Sequence, residues 1–310
     1  MRIAVTGASG YVGGAVCRAA VAAGHDVLAL GRRPRVDPRH VAGAPYRAHD
    51  LADSLPALAG DLAGTDAVVH AAGPASDSLP AQAHWDAHVG GTRTVLAALP
   101  RDARLVHLST ASVYDPRRPT VRAREDAGPA RRHPDGYGTA KAATERLVRA
   151  TRPDAVILRP HAVYGPGETT LLPRLLAAVR AGRVLVPGRG PRAVSLTRID
   201  TLVGAVLAVL RGPAGVYNVA DAEPVELLAV IETVLAARGV RARPLGLPVP
   251  LARATALVAE LGAHLWGTTP VLTRYAVRHI APERTLDVTA LRDRSGYAPP
   301  PTDVLDAADW

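Results

Sequence analysis

The 310-residue sequence predicts a doubly wound α/β fold, a parallel sheet with helices on both faces, followed by a smaller, mostly helical C-terminal lobe. Three observations carry this expectation. Short apolar runs alternate with longer helical patterns through the first half, which is the rhythm of βαβ units. The first apolar run passes directly into a glycine-rich turn and then a helix. After Pro160 the rhythm breaks into helices and Pro-rich punctuation, with too few apolar runs for a second full sheet.

Strands are expected at residues 2–6, 26–30, 67–70, 104–108 and 155–158, each apolar enough to be buried on both faces. Helices are expected near 11–23, 85–99 and 137–150. Beyond Pro160 the pattern predicts a helix at 171–181, a short strand at 184–186, and helices near 201–210 and 225–238. An apolar helix at 251–266 follows the Pro-rich stretch 244–250. The expected division is 1–165 for a nucleotide-binding Rossmann domain, with segments near 194–220 returning to it, and 166–310 mainly for a substrate lobe.

Composition narrows the function classes. A formal charge of +9 raises nucleic acid as a partner, but the arginines are scattered and no zinc-finger or helix-turn-helix spacing appears. A solvated basic face is the commoner meaning of such a balance. The lone Cys17 excludes an internal disulfide framework and a cysteine-based metal cluster, and no metal site is expected. Apolar runs fall short of the roughly 18 residues of a membrane span. The N-terminus enters a strand pattern at once, without a signal peptide, so the cytoplasm is the expected compartment.

The turn after the first strand reads Thr6-Gly7-Ala8-Ser9-Gly10-Tyr11-Val12-Gly13. Glycines at these positions allow a tight turn, close backbone approach to a pyrophosphate and close helix–strand packing, while the helix N-terminus favours the phosphate charge. The second strand ends Gly31-Arg32-Arg33, where an NAD-specific site would carry an acidic residue. Arg32 or Arg33 would meet a 2′-phosphate, so NADP is expected in preference to NAD.

Lys141 is the single lysine of an arginine-rich chain, and it follows Tyr137 by four residues on a predicted helix. That spacing puts both side chains on one face. A phenol with a reference pKa of about 10 is a poor acid–base group at neutral pH unless a nearby cation tunes it. An ammonium on a slim stem can do so and still leave room for a ribose, whereas the broad guanidinium fork would fill that space. Upstream, the strand at 104–108 ends in Leu108-Ser109-Thr110-Ala111-Ser112-Val113-Tyr114. Hydroxyls at that strand end face the ligand crevice, and one of them could stabilise charge on a substrate oxygen.

The segments TGASGYVG at 6–13, HDL at 49–51, VVHAAG at 68–73, LSTASVY at 108–114, YGTAK at 137–141 and LRPHAVYGPG at 158–167 together resemble the extended short-chain dehydrogenase/reductase superfamily. The tail at 272–300 is similar to the C-terminal lobe of 3β-hydroxysteroid dehydrogenase-like reductases. The resemblance implies that Tyr137 is the general acid/base, that Lys141 tunes it and holds the nicotinamide ribose, and that Thr110 orients the substrate. Cofactor contacts implied are Gly7, Ser9, Gly10, Tyr11, Val12, Gly13, Arg32, Arg33, Asp50 at the adenine, Leu51, Ala71, Ala72, Gly73, Tyr137, Lys141, Pro160, His161 and Val163. Ser112, Tyr164 and Arg192 would line the substrate. His88 stands where the family places an asparagine, which leaves the role of that position open.

These readings predict an NADP-dependent ketone reductase or alcohol dehydrogenase, with an apolar substrate suited to the helix at 251–266 and its Trp266. The alternatives are a nucleotide-sugar epimerase with retained NAD, in which Arg192 meets a diphosphate, and a non-catalytic NADP-binding regulator. A sugar 4,6-dehydratase is disfavoured because Ala111-Ser112 replaces its acidic pair. The expected partner is a small molecule, with no nucleic acid or membrane, and a homodimer is an admissible assembly.

Overall fold

The computed structural model describes residues 1–75, 79–268 and 270–310. Its central sheet has seven parallel strands in the order Gly215–Val219, Val156–Pro160, Arg104–Leu108, Ala67–His70, Arg2–Thr6, Asp26–Gly31, Tyr46–Ala48. From Arg2–Thr6 the chain winds outward through two neighbours, then returns to lay Ala67–His70 on the other side. The crevice at that reversal, beyond the carboxyl ends of the strands, is where such sheets bind ligands.

Alternation along each strand feeds two separate cores. Ile3, Val5, Val27, Ala29, Val69, Val106, Val156 and Leu158 pack with the helices Tyr11–Ala22 and Ile199–Val209 on one face. Ala4, Leu28, Leu30, Val68, Leu105 and Ile157 pack on the other face, with Leu58 and Leu62 of Leu55–Leu62 and Val95 of Gly91–Ala98. Burying a Val, Leu or Ile side chain fully stabilises by about 1.5–3 kcal/mol, so both faces contribute to holding the strands in register.

The expected strands and helices of the first half are present within a residue or two, with one substantive difference. The helix expected at 85–99 begins at Ala81 and is interrupted by a five-residue π segment, Asp86–Gly90. The second half departs further. Gly215–Val219, not foreseen as a strand, completes the main sheet beside Val156–Pro160. A small four-stranded sheet joins Val225–Glu226, Ala193–Val194, Arg284–Leu286 and Thr120–Ala123. Its strands run two to four residues, too short to show a period.

Candidate active site

At the crevice, the glycine turn leaves no room for side chains. A Cβ on Gly7 would lie 2.8 Å from the Ala71 carbonyl, and one on Gly13 would lie 2.2 Å from the Gly7 oxygen. Gly7 also has φ +74°, a conformation that favours glycine. No side chain caps the start of the Tyr11–Ala22 helix at Gly10. Its first N–H groups therefore remain donors of the kind that bind a phosphate. This cradle fits a dinucleotide pyrophosphate.

Gly31 sits at the end of the second strand, where a Cβ would press on the Tyr46 hydroxyl at 2.7 Å and on Ser9 Oγ at 2.8 Å. Tyr46 donates to the Arg33 carbonyl at 2.7 Å, fixing the backbone from which Arg32 and Arg33 extend into solvent. Neither arginine is ion-paired among the described residues. Asp50 is exposed and accepts from Ala52 N at 3.1 Å, while the Leu51 side chain lies against Gly91. Ala71 N donates to the Thr6 carbonyl at 3.2 Å, which brings Ala71, Ala72 and Gly73 to the glycine turn. Pro160 ends its strand, His161 is held by the Ser195 carbonyl at 2.7 Å, and Val163 pairs with Thr197. Tyr11 packs on the Gly165–Gly167 turn, and burial pushes its phenol up.

Asp135 caps the helix Gly136–Thr151 by accepting from Gly138 N at 2.7 Å, which sets Tyr137 in the first turn. Tyr137, Lys141 and Glu145 then recur every fourth residue on one stripe. The Thr110 side chain lies near enough to the Tyr137 hydroxyl to favour its ionised form, but burial outweighs it and pushes the phenol up to about 12. Lys141 is 7% exposed, donates to the Leu108 carbonyl at 2.9 Å, and is brought down to about 8 by burial. At Tyr137 burial, joined by the Asp135 charge, outweighs the opposing Thr110 hydroxyl. The effect of burial runs opposite to the tuning that the sequence suggested.

Glu145 anchors the stripe. It is fully buried and takes a bidentate pair from the fully buried Arg159, at 2.9 and 2.7 Å, and a hydrogen bond from Ser109 at 2.5 Å. Arg159 also donates to the Tyr114 hydroxyl, which donates to Asn218. The hydroxyl cluster is therefore divided. Ser109 turns to Glu145, whereas Thr110 lies near the Tyr137 hydroxyl and Ser112 Oγ lies 2.9 Å from the Tyr275 hydroxyl. Glu145 and Arg159 were missed in the sequence reading; an arginine inside the apolar strand VILRP was the available signal, since a buried charge requires a buried partner.

Rings enclose Tyr137. His84 and His88 stack at 5.9 Å, and each meets the Tyr137 ring edge-on at 5.6 Å; Tyr275 meets it at 5.9 Å and 88°. The π segment turns His88 toward Gly73, where a Cβ would lie 2.3 Å from the imidazole, and His88 Nε2 donates to the Pro74 carbonyl at 3.2 Å. Burial, aided by the Lys141 charge, holds His88 down to about 2 and His70 to about 3. Both imidazoles are neutral at physiological pH. His70 bridges the Thr6 and Thr92 hydroxyls at 2.7 and 2.9 Å.

Other expected residues lie in different surroundings. Tyr164 is 5% exposed, donates to Asp221 at 2.7 Å and packs beside Trp310. Arg192 is 8% exposed and donates to the Gly190 carbonyl at 3.1 Å, with Nε and Nη2 buried and unbonded among the described residues. Cys17 is buried and its thiol is pushed up to about 12, so it serves packing. The apolar helix Val249–Trp266 packs through Ala252 and Ala256 against Val277, while Val258 and Trp266 face solvent. Trp266 does not line the Tyr137 cluster. Among the described residues no group of side chains could hold a metal, and no helix is long and apolar enough to cross a membrane.

Comparison with known proteins places the chain in a family. Residues 3–220 match the model of the NAD dependent epimerase/dehydratase family. A 4-hydroxy-2-methyl-3-oxo-4-farnesyl-3,4-dihydroquinoline-1-oxide ketoreductase from Stigmatella aurantiaca is 35% identical, over 96% of this chain and 92% of that protein. A 2-alkyl-3-oxoalkanoate reductase from Stenotrophomonas maltophilia (strain K279a) is 31% identical, over 96% and 95%. The fold is shared with UDP-glucuronic acid 4-epimerase from Bacillus cereus in complex with NAD, at a TM-score of 0.74 and 20% identity over 100% of this chain and 96% of that one. With its cofactor cradle and hydroxyl cluster accounted for, the chain belongs to the NAD dependent epimerase/dehydratase family of extended short-chain dehydrogenases/reductases and is an NAD(P)-dependent oxidoreductase.

Proposed function

We propose that this protein is an NADP-dependent ketone reductase acting on a small apolar substrate, with residues 1–165 and 194–220 binding the cofactor and 166–310 mainly enclosing the substrate. The observation that carries the reading is the buried Tyr137 phenol beside Thr110, one helical turn from the buried Lys141 ammonium. Two relatives at 35% and 31% identity are named as reductases of oxo compounds, which supports the same direction. Arg32 and Arg33, exposed at the end of the second strand and without an ion-pair partner among the described residues, support NADP over NAD.

A reduced nicotinamide, when bound, supplies a hydride to the carbonyl carbon. Thr110 orients the carbonyl oxygen, and Tyr137 gives that oxygen its proton as the π electron pair moves onto it. A phenol held up near 12 is fully protonated at neutral pH, which suits a donor in the reductive direction. Lys141 would hold the ribose, and the histidine and tyrosine rings around Tyr137 would keep water from the phenol. The protein works in the cytoplasm without nucleic acid or membrane, and a homodimer is compatible with this chemistry.

Epimerisation with retained NAD is the second reading, supported by the unbonded Nε and Nη2 of Arg192. Purified protein decides between the two. NADPH consumption with a panel of apolar ketones is the expected result; tightly retained NAD without net NADPH turnover would overturn the reductase assignment.

A further inference from the structure

We infer that the outward face of the helix Val249–Trp266 pairs antiparallel with the same helix of a second copy of this chain, about a two-fold axis. The pairing steadies the neighbouring helix that carries Tyr275. It is independent of the reductase reading above.

The helix is apolar on two sides. Toward the body of the protein Ala252, Ala256 and Ala263 are buried, and the first two pack with Leu247 and Val277. On the opposite side Leu251, Ala254, Val258, Leu261 and Leu265 recur at alternating steps of three and four, the seam of a heptad repeat, and all five are exposed. Val258 is 70% exposed, and Leu265 and Trp266 are each 75% exposed. A Cβ on Gly262 would lie 3.1 Å from the Trp266 ring, so the indole folds back along the edge of the seam. A helix that is apolar all round is one that has a cover on every side. With Leu257 and Trp266 beside the seam, the exposed apolar side chains of this face present on the order of 800 Å², what one partner of a standard-size interface buries.

The pattern fits a copy of itself. In an antiparallel heptad pair, first-position residues face fourth-position residues across the seam. Leu251 then meets the partner's Leu261 and Ala254 meets the partner's Val258, and the two-fold axis repeats each layer. Charge selects the same occupant. The chain has a formal net charge of +9, yet no Asp, Glu, Lys or Arg falls on the seam or at the flanking positions 255, 257, 262 and 264. Two copies of a strongly basic protein can approach here without repulsion. An anionic lipid surface would instead call for a basic rim, and Arg253 is the single arginine of the helix, which holds no lysine.

Glu260 carries the effect inward. Its carboxylate accepts from Arg274 N at 2.7 Å and from Arg274 Nε at 2.6 Å, at the start of the helix Arg274–Ile280. The next residue, Tyr275, meets the Tyr137 ring edge-on. A helix held by its copy therefore holds the wall of the active site.

Sedimentation velocity of the full chain across a dilution series tests the pairing, and none of the readouts requires turnover. The wild type is expected to sediment as a dimer or a multiple of one, and Val258→Glu to halve the sedimenting mass while keeping the wild-type circular dichroism spectrum, because the position is exposed in the single chain. Adding Ala254→Lys to Val258→Glu restores the larger mass, since the two positions face each other across the antiparallel seam. Deuterium uptake over residues 274–280 rises several-fold in Val258→Glu and returns in the double variant. A wild type that is monomeric throughout, or a Val258→Glu variant of undiminished mass, overturns the pairing. So does a monomeric wild type that floats with phosphatidylglycerol vesicles, which would make the face a lipid contact. Uptake over 274–280 that is unchanged in a monomeric Val258→Glu removes the link to the Tyr275 helix.

Discussion

The Lys141 ammonium and the Tyr137 phenol are displaced by the same burial in opposite directions, to about 8 and about 12. The proposed reduction uses the protonated form of both. Its rate is expected to be level through neutral pH and to fall above about pH 8 as Lys141 loses its proton, a profile that kcat/KM measured from pH 6 to 10 will show. Lys141→Arg, which stays charged, removes that fall but lowers the plateau, whereas Tyr137→Phe lowers turnover by roughly 10²–10⁴-fold at every pH. Stability carries a second signature. Because the Lys141 pKa lies below its unfolded value, the unfolded chain holds more protons between about pH 8 and 10.5, so this residue's contribution to stability rises with pH across that window. Denaturant melts of the wild type and Lys141→Met should diverge there, the wild type gaining. At this scale the sequence was informative because one lysine stood against the compositional bias. Tyr275 was not legible, since its place beside Tyr137 depends on how two distant helices pack.

At the scale of elements, the interrupted helix around Asp86–Gly90 and the Gly73 turn fit one another. Gly73 has φ +138° and abuts His88, so Gly73→Ala combines backbone strain with a collision. A loss of about 1–3 kcal/mol is expected, read as a lowered Tm, together with weaker dinucleotide binding by fluorescence titration. The Glu145–Arg159 pair ties the Tyr137 helix to the strand Val156–Pro160 with both partners fully buried. Removing one partner, as in Glu145→Ala, strands a charge and should cost about 3–5 kcal/mol in urea denaturation. Long periodic elements of the first half were readable because strand alternation and helix spacing are local signals. The π segment was not, since an insertion of this kind is recognised by hydrogen bonds rather than by residue type. The two- to four-residue strands of the small sheet lacked enough length for any pattern.

For the whole molecule, the doubly wound parallel sheet was implied by the βαβ rhythm, while the closing strand Gly215–Val219 was hidden in a short segment far along the chain from its neighbour Val156–Pro160. The basic balance bears on the cofactor. On the proposed NADP reading, Arg32→Ala with Arg33→Ala is expected to lower kcat/KM for NADPH about 10-fold or more relative to NADH, and a wild-type preference for NADPH is expected to weaken with added salt. The burial of Lys141 has a chemical consequence of its own. The ε-amines of this chain reduce to one nitrogen, enclosed beneath the Tyr137 helix and held by a carbonyl. Acylation or reductive alkylation at a lysine therefore reports a single event, the opening of the catalytic helix, and its rate under a saturating ligand measures how far occupancy keeps that helix closed.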